Sequence, residues 1–184
     1  LNLNKKKYIL VSCHREENVD CIKNLKNIFL ALNNLSRKYN LKIIFSLHPR
    51  TKSKISNIPK KLCKNIIFHK PFSFFDYVNL QLNSKLVISD SGSIIEESNI
   101  LNIPSLNLRE TTERQEGFEK GFSIMSGLNT RDITESAEII FKKFQNYRNP
   151  DIHPDYFEKN VSDKMVVIIK SYIQYINKKV WYKY

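Results

Sequence analysis

Short, continuous apolar runs recur along this chain, and each one stops at a polar cluster. The runs are Tyr8-Ile9-Leu10-Val11-Ser12, Leu41 to Leu47, Ile66-Ile67-Phe68, Leu86-Val87-Ile88 and Ser105 to Leu108. Hydrophobicity that is continuous rather than alternating marks a strand buried on both faces, as in a parallel sheet. Segments of helical period lie between the runs. The clearest spans about Cys21 to Lys38, with Ile22, Leu25, Ile28, Phe29 and Leu32 on one face. Phe72 to Leu82 reads as an aromatic-rich helix, and Thr51 to Lys64 as a basic, irregular stretch with room for a short one. Strands alternating with helices predict an α/β fold, a Rossmann-like doubly wound parallel sheet with helices on both faces.

Beyond the last run the pattern weakens. Glu116 to Gly121 fits a short helix and Phe122 to Met125 a weak last strand. Thr130 is placed to cap a helix running to about Tyr147. Pro150 and Pro154 mark a break, Val161 to about Asn177 a final amphipathic helix, and Lys178 to Tyr184 a basic, aromatic tail. No internal repeat or low-complexity linker divides the 184 residues, enough for one domain with a real core.

Composition removes several classes. Hydrophobic content of 41% is that of a globular chain, and no apolar run reaches the length of a membrane helix. Cys13, Cys21 and Cys63 lack metal-like spacing, and so sparse and odd a set suits structural thiols in a reducing cytosol. Lys and Arg number 30 against 18 Asp and Glu, a formal charge of +12. Such a balance suits an anionic ligand, nucleic acid or an anionic membrane. Here the basic residues are dispersed among Asn and Ile, a mixture that A/T-rich coding also produces. With no signal-peptide pattern and no initiator Met, the chain is expected to be a fragment or one half of a larger protein.

In a doubly wound sheet, ligands bind beyond the carboxyl ends of the strands. Five polar clusters fall there: His14-Arg15-Glu16-Glu17-Asn18, His48-Pro49-Arg50, His69-Lys70, Ser89 to Ser93 and Arg109 to Arg114. In the fourth, a strand turns through Ser89-Asp90-Ser91-Gly92 into a helix with apolar Ile94, Ile95 and Leu101 and polar Glu96, Glu97 and Asn99. That layout suits a phosphate. The helix presents free N–H groups and a favourable dipole, and Gly92 allows close approach. Glu96 and Glu97 are placed to accept bonds from sugar hydroxyls. The plain alternative is an ordinary turn with a Ser or Asp cap. Five clusters on one edge favour a nucleotide-type anion site.

Those motifs together resemble the non-hydrolysing UDP-N-acetylglucosamine 2-epimerase family. The residues that carry the likeness are His14-Arg15-Glu16-Glu17-Asn18, Asp90-Ser91-Gly92 with Glu96-Glu97, and Arg109 followed by Thr111-Thr112-Glu113-Arg114. It runs from Lys7 to about Ile133. The resemblance implies the C-terminal, nucleotide-binding half of a GT-B-type two-domain architecture, the rest of the chain fitting the closing helices. It implies an isomerase of surface-polysaccharide precursor synthesis, with neither redox cofactor nor metal. A base removes the C2 proton while UDP leaves, and UDP re-adds with the C2 proton on the other face.

Carried over residue by residue, the resemblance implies that His14 is catalytic, near the diphosphate or sugar. Ser91 and Gly92 bind phosphate, Glu97 the ribose, and Tyr77 sits near the uracil. Arg114 contacts substrate, and Arg15 and His48 match positions that touch a second, allosteric UDP-sugar in some bacterial members. Read without the family, Tyr77 is equally a core aromatic, His48 and His69 are structural, and Arg109 partners a carboxylate. The implied partners are a UDP-sugar, the missing N-terminal half with its acid/base carboxylates, and a second subunit in a full-length homodimer. Nucleic acid and membrane are not among them. The isolated half is expected to bind UDP weakly and turn over nothing.

Three departures stand out: Gln115 for the usual Pro, Ser93 for the second Gly of Asp-Ser-Gly-Gly, and Asn102 for the Gly before Ile103-Pro104. His69-Lys70-Pro71-Phe72, Phe74-Phe75-Asp76-Tyr77 and Glu97-Ser98-Asn99-Ile100-Leu101 also look like the branch that makes UDP-N-acetyl-L-fucosamine, by C2 epimerisation of a 6-deoxy UDP-talose derivative. A GT-B glycosyltransferase half and a nucleic-acid module remain the alternatives of other classes.

Overall fold

In the computed structural model, which describes residues 3–144 and 152–183, the apolar runs become strands. They are β1 (Tyr8–Ser12), β2 (Lys42–Ser46), β3 (Ile66–His69), β4 (Leu86–Ser89), β5 (Ser105–Asn107) and β6 (Ser123–Met125). All pair in parallel, in the order β3-β2-β1-β4-β5-β6. The helices are α1 (Glu16–Val19), α2 (Ile22–Tyr39), α3 (Pro49–Lys54), α4 (Lys60–Cys63), α5 (Phe74–Asn83), α6 (Ser93–Ile100), α7 (Glu116–Glu119), α8 (Thr130–Lys143) and α9 (Val161–Lys179). The expected doubly wound sheet is present, and its strand order reverses direction between β1 and β4, where such sheets open a crevice.

Alternate residues of the central strands feed two separate cores. Ile9 and Val11 of β1, Ile43 and Phe45 of β2, and Leu86 and Ile88 of β4 join one layer with Leu25, Phe29 and Leu32 of α2 and Ile133 and Ala137 of α8. Tyr8, Leu10, Ile44 and Val87 face the other layer, with Ile94 and Ile95 of α6 and Tyr77 and Leu80 of α5. Burial on both faces is why the strands read as unbroken apolar runs. Each fully buried aliphatic side chain contributes about 1.5–3 kcal/mol.

Several boundaries differ from the sequence expectation. The stretch after His48 is ordered as α3, a 3₁₀ turn at Ile55–Asn57, and α4. Thr130 is the first residue of α8, not its cap: Asn129 accepts from the Arg131 amide at 2.9 Å, while the Thr130 hydroxyl donates to the Asn27 carbonyl at 3.1 Å. The expected run of this helix to Tyr147, and the break at Pro150, lie outside the described residues. Lys178 and Lys179, expected in the tail, complete α9.

Asn102 explains one departure. It follows α6 in the left-handed region at φ 51°, and the Ile103 amide donates back to the Ser98 carbonyl at 3.0 Å. Glycine is the default there and Asn the next best residue. Asn102→Ala is expected to lower stability by about 1 kcal/mol and Asn102→Gly to leave it nearly unchanged, as read by urea unfolding. Ser93 has no such constraint. It begins α6 and its hydroxyl sits 3.0 Å from that of Ser91.

The chain forms two compact units, Leu1–Ile152 and His153–Tyr184. The first holds the sheet, and the second a 3₁₀ turn at Pro154–Phe157 and α9.

Candidate functional site

β1 and β4 run in register to their carboxyl ends, where Ser12 lies opposite Ser89 and their hydroxyls are 2.8 Å apart. From this point the chain leaves β1 through Cys13-His14-Arg15 into α1, and leaves β4 through Asp90-Ser91-Gly92 into α6.

Asp90 ties the two exits together. It is fully buried, and its Oδ2 accepts from the His14 amide at 2.8 Å, the Arg15 amide at 2.7 Å and the Asn18 side-chain amide at 3.1 Å. Three N–H donors replace the water that a buried carboxylate loses. The same Asn18 nitrogen donates to the Leu108 carbonyl at 3.0 Å, which brings in the end of β5. Cys13, beside Asp90, is fully buried. Burial, and then the Asp90 carboxylate, push its thiol well up, which makes it an inert structural thiol as expected.

The phosphate-loop expectation meets a favourable arrangement. The residue capping α6 is Gly92, with no side-chain cap, so the Ser or Asp cap of the plain alternative is absent. The first N–H groups of α6 are therefore not occupied by a capping side chain. Asn107 donates to the Ser91 carbonyl at 2.9 Å and Ser89 accepts from the Ser91 amide at 3.1 Å, which fixes the loop from below. The guanidinium of Arg114 lies over Gly92: a Cβ built there would stand 1.7 Å from its Nη1. Arg114 reaches Glu96 at 2.8 Å and Glu113 at 2.9 Å. Arg109 is nearly buried and pairs with Glu113 at 3.3 Å, the carboxylate partner the sequence suggested.

A cleft of about 210 Å³ opens beside this loop. His14, Tyr77, Ser91 and Glu97 all line it, together with Ser12, Ser46, Gln81, Ser89 and Ser93. Thus five expected residues, Arg114 included, gather around one crevice and its loop. The Tyr77 hydroxyl donates to Ser12 at 2.9 Å, and burial pushes its pKa up to about 12, so it remains a neutral donor. Its ring packs on the second core layer, as the core reading expected, and the residue also lines the cleft.

His48 stands at the margin. Its ring centroid is 5.2 Å from that of His14, and its Nδ1 accepts from the Arg50 amide at 3.2 Å to cap α3. Arg15 is taken up by Glu17. His69 stacks on Phe72 with ring centroids 4.1 Å apart, a structural role as expected.

Sequence reasoning missed two contributors. Gln81 is fully buried in α5 and donates to Glu97. Its signal was an amide four residues after Tyr77, on the same helical face. Arg50 bridges Glu16 at 3.1 Å and Asp20 at 2.8 Å, locking the β2 exit to α1. Nothing local announces that contact.

The family model described as UDP-N-acetylglucosamine 2-epimerase matches residues 1–170. The chain belongs to this family. The UDP-N-acetylglucosamine 2-epimerase of Methanocaldococcus jannaschii is 36% identical over 172 residues, 91% of this chain and 45% of the relative. Its crystal structure in complex with UDP-GlcNAc and UDP superposes with a TM-score of 0.74 at 36% identity, covering 90% of this chain and 45% of that one. The epimerase structure from Rickettsia bellii gives 0.77 at 42% identity, covering 98% of this chain and 48% of that one. The chain therefore spans just under half the length of these two relatives, with the Rossmann-like fold of one half of a GT-B-type architecture. Among its described residues, no helix is long and apolar enough to cross a membrane.

Proposed function

We propose that this chain is the UDP-binding half of a cytoplasmic, non-hydrolysing UDP-N-acetylglucosamine 2-epimerase. It would interconvert UDP-GlcNAc and UDP-ManNAc together with an N-terminal half. The observation that supports this most is the convergence of His14, Ser91, Gly92, Glu97 and Arg114 on one crevice at the reversal of strand order.

The reaction breaks the bond between C1 and the diphosphate as the C2 proton leaves, so negative charge collects on departing UDP. Stabilising that charge is this half's task. The amide groups at Gly92 and the start of α6 face one side of the phosphates, and the Arg114 guanidinium supplies fixed positive charge. Glu97, held by Gln81, accepts from the ribose hydroxyls, and Tyr77 borders the base. His14 stands next to the diphosphate. Arg15 and His48, on the rim, are the residues for a second UDP-sugar. The acid/base carboxylates belong to the absent half, so the chain alone binds UDP weakly and turns over nothing. Neither metal nor redox cofactor enters this scheme. In α9, Met165, Ile169 and Tyr172 are exposed, and we assign this helix the closing role against the N-terminal half.

The test is calorimetry with UDP. A 1:1 isotherm is expected, weakened roughly tenfold in Glu97→Ala, since a charge-assisted hydrogen bond contributes about 1.5–3 kcal/mol. No heat with any uridine diphosphate compound contradicts the proposal. The sugar is contacted mostly by the missing half, so C2 proton exchange on each UDP-sugar by the complete protein separates this activity from the fucosamine branch. Transfer to an acceptor sugar without that exchange marks a glycosyltransferase.

A further inference from the structure

The buried carboxylate of Asp90 has one oxygen left over. Its Oδ2 takes three N–H groups, whereas Oδ1 has no hydrogen bond of good geometry among the described residues. Nδ1 of His14 lies 3.3 Å from it, and the Cys13 thiol, also beside Asp90, is only a weak donor. Asp90 is fully buried, while the His14 side chain is 44% exposed, so the ring spans the boundary between the sealed loop junction and the cleft. A buried acceptor without a donor is strongly disfavoured, which selects the imidazole form that carries its proton on Nδ1.

We propose that Asp90 is a positioning residue for His14: it holds the imidazole as the Nδ1–H tautomer and leaves Nε2 as the nitrogen available in the cleft. In water a free imidazole favours the opposite tautomer, so this preference is imposed by the fold. A ring held this way accepts a hydrogen bond through Nε2 when neutral. When protonated it donates one to a phosphate oxygen. The identity of the ligand rests on the function proposed above, but the tautomer does not.

Long-range proton–nitrogen correlation spectra of the chain with ¹⁵N-labelled histidine, recorded above the imidazole titration range, read the tautomer directly. His14→Gln assigns the signal. The expected result is a protonated-type Nδ1 and a bare-type Nε2, with at least about a tenfold preference. In Asp90→Asn the side-chain oxygen still accepts the three N–H groups, while the new amide offers a proton to Nδ1. The His14 tautomer should then reverse, with the amide spectrum unchanged away from the loop. An Nε2–H form or an even mixture in the native chain overturns the proposal, as does an unaltered tautomer in a folded Asp90→Asn. Should that variant fail to fold, the native spectrum decides alone. Added UDP should move Nε2 more than Nδ1; absence of that shift counts against the nucleotide reading and leaves the Asp90 assignment standing.

Discussion

Asp90→Ala is expected to lower the stability of the chain by about 3–5 kcal/mol, because three buried N–H donors lose their acceptor and each unsatisfied donor costs about 1–3 kcal/mol. The methyl group leaves the amides of His14 and Arg15 and the side chain of Asn18 without their acceptor. It also uncouples the exits of β1 and β4, which hold the site. Urea unfolding should show a lower midpoint at unchanged slope, because the extent of burial is the same. Asp90→Asn retains an acceptor oxygen and should lose much less. A change below about 1 kcal/mol in Asp90→Ala would place the carboxylate among ordinary exposed charges.

Gly92→Ala is expected to weaken UDP binding at least tenfold while leaving stability nearly untouched. The backbone at Gly92 lies at φ −65° and ψ −38°, a conformation open to every residue, so the fold does not demand glycine. The demand comes from Arg114, whose Nη1 would be 1.7 Å from the added Cβ. A long side chain can move away, and the guanidinium then leaves the phosphate loop. Arg114→Ala removes the same charge, so the two substitutions should not add: the double variant should bind UDP no more weakly than Arg114→Ala. Full additivity, measured by calorimetry, would mean that glycine and arginine act at separate places.

The sheet was legible in the sequence because its central strands are buried on both faces, which leaves unbroken apolar runs. The site was legible because every polar cluster stands where such a run ends, and parallel pairing carries all those ends to one edge. What the sequence concealed is the wiring between clusters. Asp90 meets partners 72 to 76 residues away, and no local pattern announces that a single carboxylate in a turn will be the junction. Arg50 is a similar case, bridging from the β2 exit to α1. Gly92 read as a residue that lets a ligand approach closely, and the group lying against it is the Arg114 guanidinium, from a cluster 22 residues on that nothing local connects to it. Thr130 lost the capping position to its neighbour Asn129 because its hydroxyl is spent on α2.

On the proposed function, the loop at the end of β4 receives the diphosphate of a uridine nucleotide. Backbone amide spectra of the ¹⁵N-labelled chain, titrated with UDP, test it most directly. The largest shifts are predicted at Ser91, Gly92 and Ser93, with smaller ones at His14 and Arg15, and in Arg114→Ala all of them should need at least about tenfold more UDP. Shifts clustered at the amino ends of the strands, or a spectrum that UDP leaves unchanged, would contradict it.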